Sequence, residues 1–408
     1  MAGYYDALET RSADQRAADL SEKLPVMVAS AITRAPGLAA HLAGVSAGDV
    51  TSVRALAGLP VLRKSGIGAA QAKHPPFGGF TTLAVHEMEH VFQSPGPIYE
   101  PGRVSHDWWR IARFLHACGI GKGDVVQNCF SYHLTPAGMI FENGARAVGA
   151  TVLPAGTGQT EMQVRAARDV GSTAYAGTPD YLKVILDKAE KMGVRLKITK
   201  ATVGGGALFP SLRQDYADRG ILCLQNYATA DLGNIAYESE AAEGMIVDEG
   251  VIVEIVRPGT GIPVAEGEVG EVVVTTLNPD YPLIRFATGD LSAVMPGISP
   301  CGRTNTRIRG WMGRADQTTK IKGMFVRPEQ VAELVARHPE ATKARVIATR
   351  DGDADAMTVQ IEAEGGDVIA YQASVAAVLK LKGTVEVVAP GSLPNDGKVI
   401  DDQRNYDE

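Results

Sequence analysis

The chain has 408 residues, of which 45% are hydrophobic and 21% charged, and its formal net charge is −7 at pH 7. This length predicts two or three domains, and the acidic balance argues against a general binder of nucleic acid or anionic membranes. Four cysteines without a C-x-x-C pair, and no apolar run approaching roughly 18 residues, predict a cytoplasmic protein without a disulfide framework or a membrane helix.

The N-terminal region, residues 4–44, is rich in Ala, Leu, Glu and Arg with apolar residues at three-to-four spacing, which predicts helix. Pro25 and Pro36 are expected to break this helix into pieces. Residues 83–103 predict a strand and then a tight loop. His86 and His90 fall in that strand, and we interpret them as a solvated face, because their H-E-x-E-H spacing is not that of a zinc-binding helix.

Short apolar runs alternate with helical patterns between residues 125 and 227, which predicts a largely parallel sheet with helices on its faces. Ligands bind such sheets at the carboxyl ends of the strands. The predicted fold is α/β. A large N-terminal domain, residues 1–313, would hold mostly parallel sheets with flanking helices plus a β-rich subdomain. A small mobile α+β domain, residues 314–408, would follow.

Three segments in the C-terminal third carry candidate chemistry. Residues 281–290 form an apolar run that ends in Thr-Gly-Asp290, a second glycine-bracketed turn at 313–323 contains Arg314, and Lys398 lies alone on a loop near the C-terminus. A carboxylate can accept hydrogen bonds from both hydroxyls of a ribose, and the two cations suit phosphates. Together these segments favour nucleotide chemistry.

Four specific blocks follow one another along the chain: 282–290 (P-L-I-R-F-A-T-G-D), 301–304 (C-G-R-T), 313–317 (G-R-A-D-Q) and 324–331 (M-F-V-R-P-E-Q-V). In this order they resemble the adenylate-forming acyl-CoA synthetases, and more narrowly the phenylacetate–CoA ligase family. An early block at 59–64 extends the resemblance to nearly the whole chain. The resemblance implies a two-step reaction that uses ATP, Mg²⁺ and coenzyme A. A carboxylic acid would form acyl-AMP and pyrophosphate, and the thiol of coenzyme A would then displace AMP.

The resemblance assigns roles to residues in the C-terminal blocks. Asp290 would bind ribose, Arg314 would lie near ribose and phosphate, and Lys398 would contact the reacting carboxylate and the α-phosphate. Asp316 and Gln317 would form the interdomain hinge. Each has a plainer alternative: Asp290 as a turn aspartate, Arg314 in a surface ion pair, and Lys398 as a solubilising lysine or a match to the family's later arginine.

The resemblance also places nucleotide contacts earlier in the chain. Tyr227 would pack on adenine, Thr229 would reach phosphate, and Asp231 would hold Mg²⁺, directly or through water. The glycine-rich adenine platform would be formed by Gly204, Gly205 and Gly206.

The expected phosphate loop departs from the family pattern. Two prolines at 95 and 97 remove backbone donors and no lysine follows, so the residues left to contact phosphate are Ser94 and Gly96. An alternative function is therefore a nucleotide-binding sensor or scaffold with impaired turnover. Within the enzyme class, a carrier protein or an amine stays open as the acceptor.

The acyl pocket is assigned to loops that follow two predicted strands. Phe130, Tyr132 and His133 place three ring side chains within four positions, and Gly156 follows the next strand. These rings favour an aryl or arylacetic acid as substrate, with core packing as the alternative. The expected partner is therefore a small-molecule carboxylic acid, without nucleic acid or membrane, and a homodimer stays open.

Overall fold

The computed structural model describes residues 3–315, 317–322, 324–351, 354–394, 396 and 398–404. The chain divides into two units. Unit 1 comprises Met1–Val253, Val274–Phe286 and Met295–Gly310, and unit 2 comprises Glu254–Val273, Ala287–Val294 and Trp311–Glu408. This division assigns residues 254–273 and 287–294 together with the C-terminal residues, so the predicted boundary at 313/314 stays a prediction.

The helices of unit 1 follow the predicted order. They are α1 (Ala13–Arg34), α2 (Pro36–His41), α3 (Val53–Leu56), α4 (Lys64–Lys73), α5 (Ala112–Ala117), α6 (Ala137–Ala147), α7 (Thr160–Val170), α8 (Pro179–Lys191) and α9 (Pro210–Asp218), with 3₁₀ turns at Ala7–Thr10, Ala47–Asp49 and Val85–Glu87. Within the described residues, no helix is long and apolar enough to cross a membrane.

Helix α1 begins where its sequence requires and continues further than its sequence predicts. The Ser12 hydroxyl accepts from the Gln15 N–H at 3.1 Å, and the Ser12 N–H donates to the Gln15 side chain at 2.8 Å, which closes a capping box. Pro25 lies inside the helix, so the expected break there is wrong. The helix buries Leu24 and Val28 completely on either side of the proline, and that packing outweighs one lost backbone bond. Pro36 does separate α1 from α2, as predicted.

The strands of the N-terminal two thirds of the chain are short. They are β1 (Leu62–Arg63), β2 (His90–Ser94), β3 (Ile98–Gly102), β4 (Val125–Asn128), β5 (Thr151–Pro154), β6 (Ala174–Gly177), β7 (Lys200–Val203), β8 (Leu222–Thr229), β9 (Gly233–Tyr237) and β10 (Met245–Val247). They are followed by β11 (Val251–Val256), β12 (Gly270–Thr276), β13 (Phe286–Ser292), β14 (Val294–Met295) and β15 (Arg307–Ile308).

A nine-stranded sheet in the order β14-β15-β10-β9-β8-β7-β6-β4-β5 organises unit 1. Its pairs from β5 through β8 are parallel, and those from β8 through β15 are antiparallel. Hydrophobic residues of α5 and α6 bury one core with this sheet, and those of α8 and α9 bury another. The predicted parallel α/β arrangement is confirmed for β4–β8.

The predicted phosphate loop and the predicted β-rich segment each belong to a further group of strands. Strands β2 and β3 form an antiparallel hairpin in the register Ser94↔Ile98. Strands β1, β13, β12 and β11 form a four-stranded sheet in that order. His86 falls in a 3₁₀ turn before β2, so the strand predicted from residue 83 begins later than expected.

The C-terminal residues of unit 2 form an α+β layer, as predicted. Its elements are β16 (Thr319–Ile321), β17 (Met324–Val326), α10 (Pro328–Ala336), β18 (Ala341–Asp351), β19 (Ala354–Ala363), α11 (Val368–Leu379), β20 (Thr384–Val388) and β21 (Ile400–Asp402). Strands β20-β19-β18-β21 form one sheet, and its core includes Leu334 of α10 and Tyr371 of α11. The mobility predicted for this part stays a prediction.

Candidate active site

The loops assigned to substrate and adenine lie at one edge of the sheet in unit 1. They follow β4, β5 and β7, which are parallel or joined through parallel neighbours, so their carboxyl ends share that edge. Backbone hydrogen bonds join two of these loops to the last residues of adjacent strands: the Gly156 N–H donates to the Asn128 carbonyl of β4 at 2.9 Å, and the Gly204 N–H donates to the Gly177 carbonyl of β6 at 3.2 Å. The structure therefore brings these predicted segments together.

The residues predicted for the acyl pocket have different surroundings. Phe130 is buried and stacks on Phe141, with ring centroids 4.3 Å apart. The Tyr132 hydroxyl accepts from the Asn128 amide at 2.7 Å, and burial, followed by the charge of Glu142, raises its pKa. His133 is exposed on the same loop. Phe130 therefore packs as a core residue. Tyr132 is half-buried, and its hydroxyl is fixed by the hydrogen bond from the Asn128 side-chain amide.

The glycine triplet packs closely against β8. A Cβ on Gly204 would lie 2.3 Å from the Asn226 side-chain oxygen, Gly205 has φ +68°, and the Gly206 carbonyl accepts from the Gln225 amide at 2.9 Å. The first two positions therefore favour glycine for steric and conformational reasons. Tyr227, on the strand beside the triplet, is 7% exposed.

Asp231 lies in the turn between β8 and β9 and is completely buried at its side chain. The Lys64 ammonium, at the first residue of α4, is 2.6 Å from its Oδ2, whereas its Oδ1 is buried without a hydrogen-bond partner among the described residues. Thr229, two residues earlier, accepts from the Leu232 N–H at 3.2 Å. An unpartnered buried carboxylate oxygen fits a cation, and one or two protein carboxylates are enough for Mg²⁺ beside phosphates.

The hairpin loop assigned to phosphate is organised around an acidic residue. Both the N–H and the hydroxyl of Ser94 donate to the carboxylate of Glu100, the first at 3.2 Å. Burial raises the pKa of Glu100 to about 7, with a smaller rise from Asp231 and opposing effects of Ser94 and Lys64. The two donors expected from Ser94 are therefore engaged within the protein, and Gly96 is exposed at the loop tip.

The Tyr281 hydroxyl lies in the electrostatic environment of Asp231 and Glu100. The hydroxyl is buried and has no hydrogen-bond partner in the described part of the chain. Burial, followed by the charges of Asp231 and Glu100, raises the pKa of Tyr281 well above its ordinary value.

In unit 2, Asp290 is held by two donors from one following segment. The Arg314 guanidinium donates to Asp290 Oδ1 at 2.8 Å and the Trp311 indole N–H at 3.1 Å. Backbone bonds align this segment antiparallel to β13, including the Ala315 N–H to the Gly289 carbonyl at 2.8 Å. A Cβ on Gly289 (φ +76°) would lie 2.8 Å from the Arg314 guanidinium, so the Gly-Asp pair of the motif has a steric reason.

Lys398 is half-exposed, and its ammonium lies 3.4 Å from Asp401. The adjoining backbone is tied to the predicted hinge, because the Gln317 side-chain oxygen accepts from the N–H groups of Val399 at 2.6 Å and Ile400 at 2.8 Å. Asp316, the other predicted hinge residue, lies outside the described residues.

Three residues beside the predicted sites were missed as site residues by the sequence reasoning: Lys64, Glu100 and Trp311. Lys64 closes the early block at 59–64, whose resemblance indicated a region but no partner. Glu100 lies in the loop where a lysine was expected, and Trp311 lies inside a glycine-bracketed turn. The signal for both was in the sequence: an acidic residue where the family has a lysine, and a tryptophan between two glycines.

Comparison with known proteins identifies the family. The phenylacetate-coenzyme A ligase of Aromatoleum evansii is 30% identical over 379 residues, which cover 88% of this chain and 84% of the relative. The chain belongs to the phenylacetate–CoA ligase family. A phenylacetate-coenzyme A ligase of Thermus thermophilus is 29% identical over 378 residues with the same coverage. Membership confirms the predicted enzyme class, an acid–CoA ligase. No protein-family model matches the chain.

Solved structures confirm the predicted fold class. A crystal structure of 2-hydroxyisobutyryl-CoA ligase with 2-HIB-AMP and CoA has a TM-score of 0.70 and 23% identity, covering 98% of this chain and 92% of that one. An open conformation of the same ligase has a TM-score of 0.72, covering 95% and 91%. The fold of 2-hydroxyisobutyryl-CoA ligase therefore extends over nearly the whole of this chain.

Proposed function

We propose that the protein activates a carboxylic acid with ATP and transfers the acyl group to coenzyme A. The acid oxygen attacks the α-phosphorus to give acyl-AMP and pyrophosphate. The thiolate of coenzyme A then attacks the acyl carbon and releases AMP. The observation that carries this proposal is the relationship to phenylacetate–CoA ligases over 88% of the chain.

In unit 2, Asp290 would accept hydrogen bonds from the ribose hydroxyls. Its fixed orientation supports this role, because Arg314 and Trp311 hold Oδ1 from one side. Arg314 is more than half exposed and retains donors for a phosphate oxygen. Lys398 would supply a point charge where negative charge accumulates during adenylation.

In unit 1, Tyr227 and the triplet Gly204–Gly206 would contact adenine, and Thr229 would contact phosphate. Asp231 would hold Mg²⁺, which when bound offsets the charge of the phosphates. Its unpartnered buried oxygen supports this assignment. Ser94 and Gly96 would lie beside the pyrophosphate. The hydrogen bonds of Ser94 to Glu100 would fix its position there.

We further propose that Lys64 supplies the cation missing from the hairpin loop. The loop itself presents Glu100 in that neighbourhood, and Lys64 is 29% exposed while paired with the buried Asp231. An ammonium so placed can contact a phosphate oxygen and a carboxylate at once, because it has three donors.

The acid is proposed to be aryl or arylacetic, with Tyr132 and Gly156 at its site. The half-buried Tyr132 ring supports this class. Phe130 would form the floor through its stack on Phe141, and the exposed His133 would lie at the entrance.

Pyrophosphate release tests the function. The protein is incubated with ATP, Mg²⁺ and a panel of aryl and arylacetic acids, with and without coenzyme A. Acid-dependent pyrophosphate release without coenzyme A, and acyl-CoA formation with it, is the expected result. A panel without any release would contradict the proposal.

Lys398→Ala separates the two half-reactions. Adenylation should fall about 10³-fold, since one preorganised charge on a developing anion contributes 10²–10³ or more. Thioester formation from supplied acyl-AMP should be retained. Loss of both together, in a variant with unchanged thermal unfolding, would show that the lysine has another role.

A second candidate function, a nucleotide-binding sensor with impaired turnover, is favoured by one observation. Ser94 is engaged by Glu100, and the loop between β2 and β3 contains two prolines, which leaves few donors for pyrophosphate. This function predicts calorimetric binding of ATP or AMP without pyrophosphate release, and the same binding in Lys398→Ala.

A further inference from the structure

Helix α6 carries an acid and a cation that line a cleft in unit 1, and neither residue has a role assigned above. The cleft has a volume of about 150 Å³, and His90, Trp109, Met139, Glu142, Asn143 and Arg146 are among its lining residues. We call it the α6 cleft. The pair His86 and His90 was interpreted as a solvated face, but the His90 ring stacks on Phe92 at 5.6 Å and faces this cleft.

Two buried polar atoms on the lining residues have no hydrogen-bond partner within the described chain, His90 Nδ1 and Asn143 Oδ1. The Asn143 amide nitrogen donates to the Ser105 carbonyl at 2.9 Å, which assigns the remaining atom as an oxygen acceptor. Buried polar atoms in proteins nearly always have a partner. Both residues line the α6 cleft, so a polar ligand there is a candidate partner for these two atoms.

Charges of both signs line the same cleft. Glu142 and Arg146 are four residues apart on α6, so they lie on one face with Cβ atoms about 5–6 Å apart. The described contacts include no ion pair between them. The other lining cation, Arg103, is already engaged by Glu89 at 3.1 Å and Asp280 at 3.4 Å. Glu142 and Arg146 thus form a dipolar pair that a zwitterion can match.

The remaining walls are apolar. Trp109 is 3% exposed and Met139 is half-buried beside it. A cavity of about 150 Å³ accepts a group the size of benzene, and the α6 cleft has that volume. One cation, one anion, one acceptor and an apolar wall together match a single class of small molecule.

We propose that the α6 cleft binds a free α-amino acid with an apolar side chain. The ligand carboxylate pairs with Arg146, its ammonium donates to Glu142 and to Asn143 Oδ1, and its side chain packs on Trp109 and Met139. The His90 ring donates to the same carboxylate in its Nδ1-protonated form. Both ligand charges are then paired, which a partly desolvated site requires.

Binding has a consequence for the acid site. Tyr132 packs against the same helix, because a Cβ on Gly138 of α6 would lie 2.8 Å from its ring, and burial, followed by the charge of Glu142, raises the pKa of this tyrosine. An ammonium bound at Glu142 would offset that charge, so the amino acid would change the affinity of the enzyme for its substrate acid. This consequence rests on the proposed function, whereas binding to the cleft does not.

Titration calorimetry of the full chain tests the proposal. L-phenylalanine and L-leucine should bind with a stoichiometry of one. 3-Phenylpropionate, which lacks the ammonium, and phenethylamine, which lacks the carboxylate, should each bind at least tenfold more weakly than L-phenylalanine. Absence of amino acid binding, or equal binding of either analogue, would overturn the proposal.

Two variants locate the ligand, and a second helix provides the matched control. Arg146→Gln and Glu142→Gln should each weaken binding of L-phenylalanine about tenfold. Arg165→Gln removes the cation from another glutamate–arginine pair at i,i+4, on α7, where Arg165 contacts Glu161 at 2.8 Å, and it should leave binding unchanged. Undiminished binding to Arg146→Gln would overturn the proposal.

Activity separates this inference from the proposed function. Arg146→Gln should retain pyrophosphate release with the substrate acid, while L-phenylalanine should no longer change the KM for that acid. A protein that binds L-phenylalanine through Arg146 but releases no pyrophosphate with any acid would support the cleft and contradict the proposed function.

Discussion

Two buried aspartates, Asp231 in unit 1 and Asp290 in unit 2, each have a cation within 2.8 Å, yet they are built differently. Asp290 takes its cation from 24 residues away, on a segment that pairs with its own strand. Asp231 takes its cation from 167 residues away and keeps one oxygen unpartnered among the described residues. Strand pairing within one short segment fixes the Asp290 carboxylate, which is therefore preorganised. The Asp231 carboxylate is fixed by an ion pair with a residue distant in sequence, and such a pair can exchange partners.

Among the substitutions that compare the two aspartates, the largest effect is expected at the preorganised carboxylate of Asp290. Asp290→Asn keeps the shape of the side chain but replaces one carboxylate oxygen with an amide NH₂ group. The variant therefore loses charge-assisted hydrogen bonds worth about 2–5 kcal/mol. We expect kcat/KM for ATP to fall about 10²-fold in pyrophosphate release. Asp169→Asn, on an exposed helix carboxylate, is the matched control and should have no effect. If Asp290→Asn has the same kinetics as the wild type, Asp290 does not bind the nucleotide.

A pH effect on stability is expected from Glu100, in the region of Asp231. The pKa of Glu100 is raised from its ordinary 4.5 to about 7, so the folded state holds a proton that the unfolded state loses between those values. The free energy of unfolding should therefore fall as pH rises from 4.5 to 7, by an amount on the order of 3 kcal/mol, and stay level above pH 7.

Glu100→Gln tests this slope by urea denaturation at several pH values. The fall between pH 4.5 and 7 should be smaller in the variant than in the wild type, because only the contribution of Glu100 is lost. Burial also raises the pKa of Asp107 to about 7, so its contribution remains. Glu161→Gln, on an exposed helix face, should retain the full fall. Equal slopes in wild type and Glu100→Gln would contradict the assignment.

The next effect concerns the exchangeable ion pair. Lys64→Ala should raise the KM for ATP about tenfold and lower the free energy of unfolding by about 1–3 kcal/mol, because a buried carboxylate loses its partner. Lys64→Arg should restore most of both properties.

Lys200 provides a close control for Lys64, since it is also 29% exposed and lies 2.8 Å from Asp124. Lys200→Ala should destabilise the fold by a comparable amount without changing the KM for ATP. A similar rise in KM for both variants would mean that Lys64 acts only through stability.

The smallest effect is expected at Trp311. Trp311→Phe keeps a ring but removes one hydrogen bond to Asp290, so the KM for ATP should rise about threefold to tenfold with kcat unchanged. Trp108→Phe is a matched control, because the Trp108 indole donates to Asp280 at the same 3.1 Å. Equal effects of the two substitutions would separate Trp311 from the site.

The same contrast explains what could be predicted from the sequence. Asp290 and Arg314 were predicted because both lie in motif blocks about 24 residues apart, and their strand pairing is nearly local. The fold class followed from alternating apolar runs and helical patterns over 125–227. These are short-range signals, so a single sequence carries them.

Other features depend on packing between distant segments. The Lys64–Asp231 pair requires α4 to approach the turn after β8, and no local pattern encodes that approach. The helix through Pro25 persists because residues elsewhere bury Leu24 and Val28. His90 was assigned to a solvated face because alternation along one strand cannot show that α6 lies beside it.

The contact between Gln317 and the backbone of Val399 and Ile400 has a consequence for the predicted hinge. A side-chain amide joins the start of the C-terminal segment to the peptide groups next to the lysine. If the chain rotates at the predicted hinge, this contact would carry the backbone beside Lys398 along with Gln317. Loss of the amide contact would then uncouple the position of the lysine from the rotation.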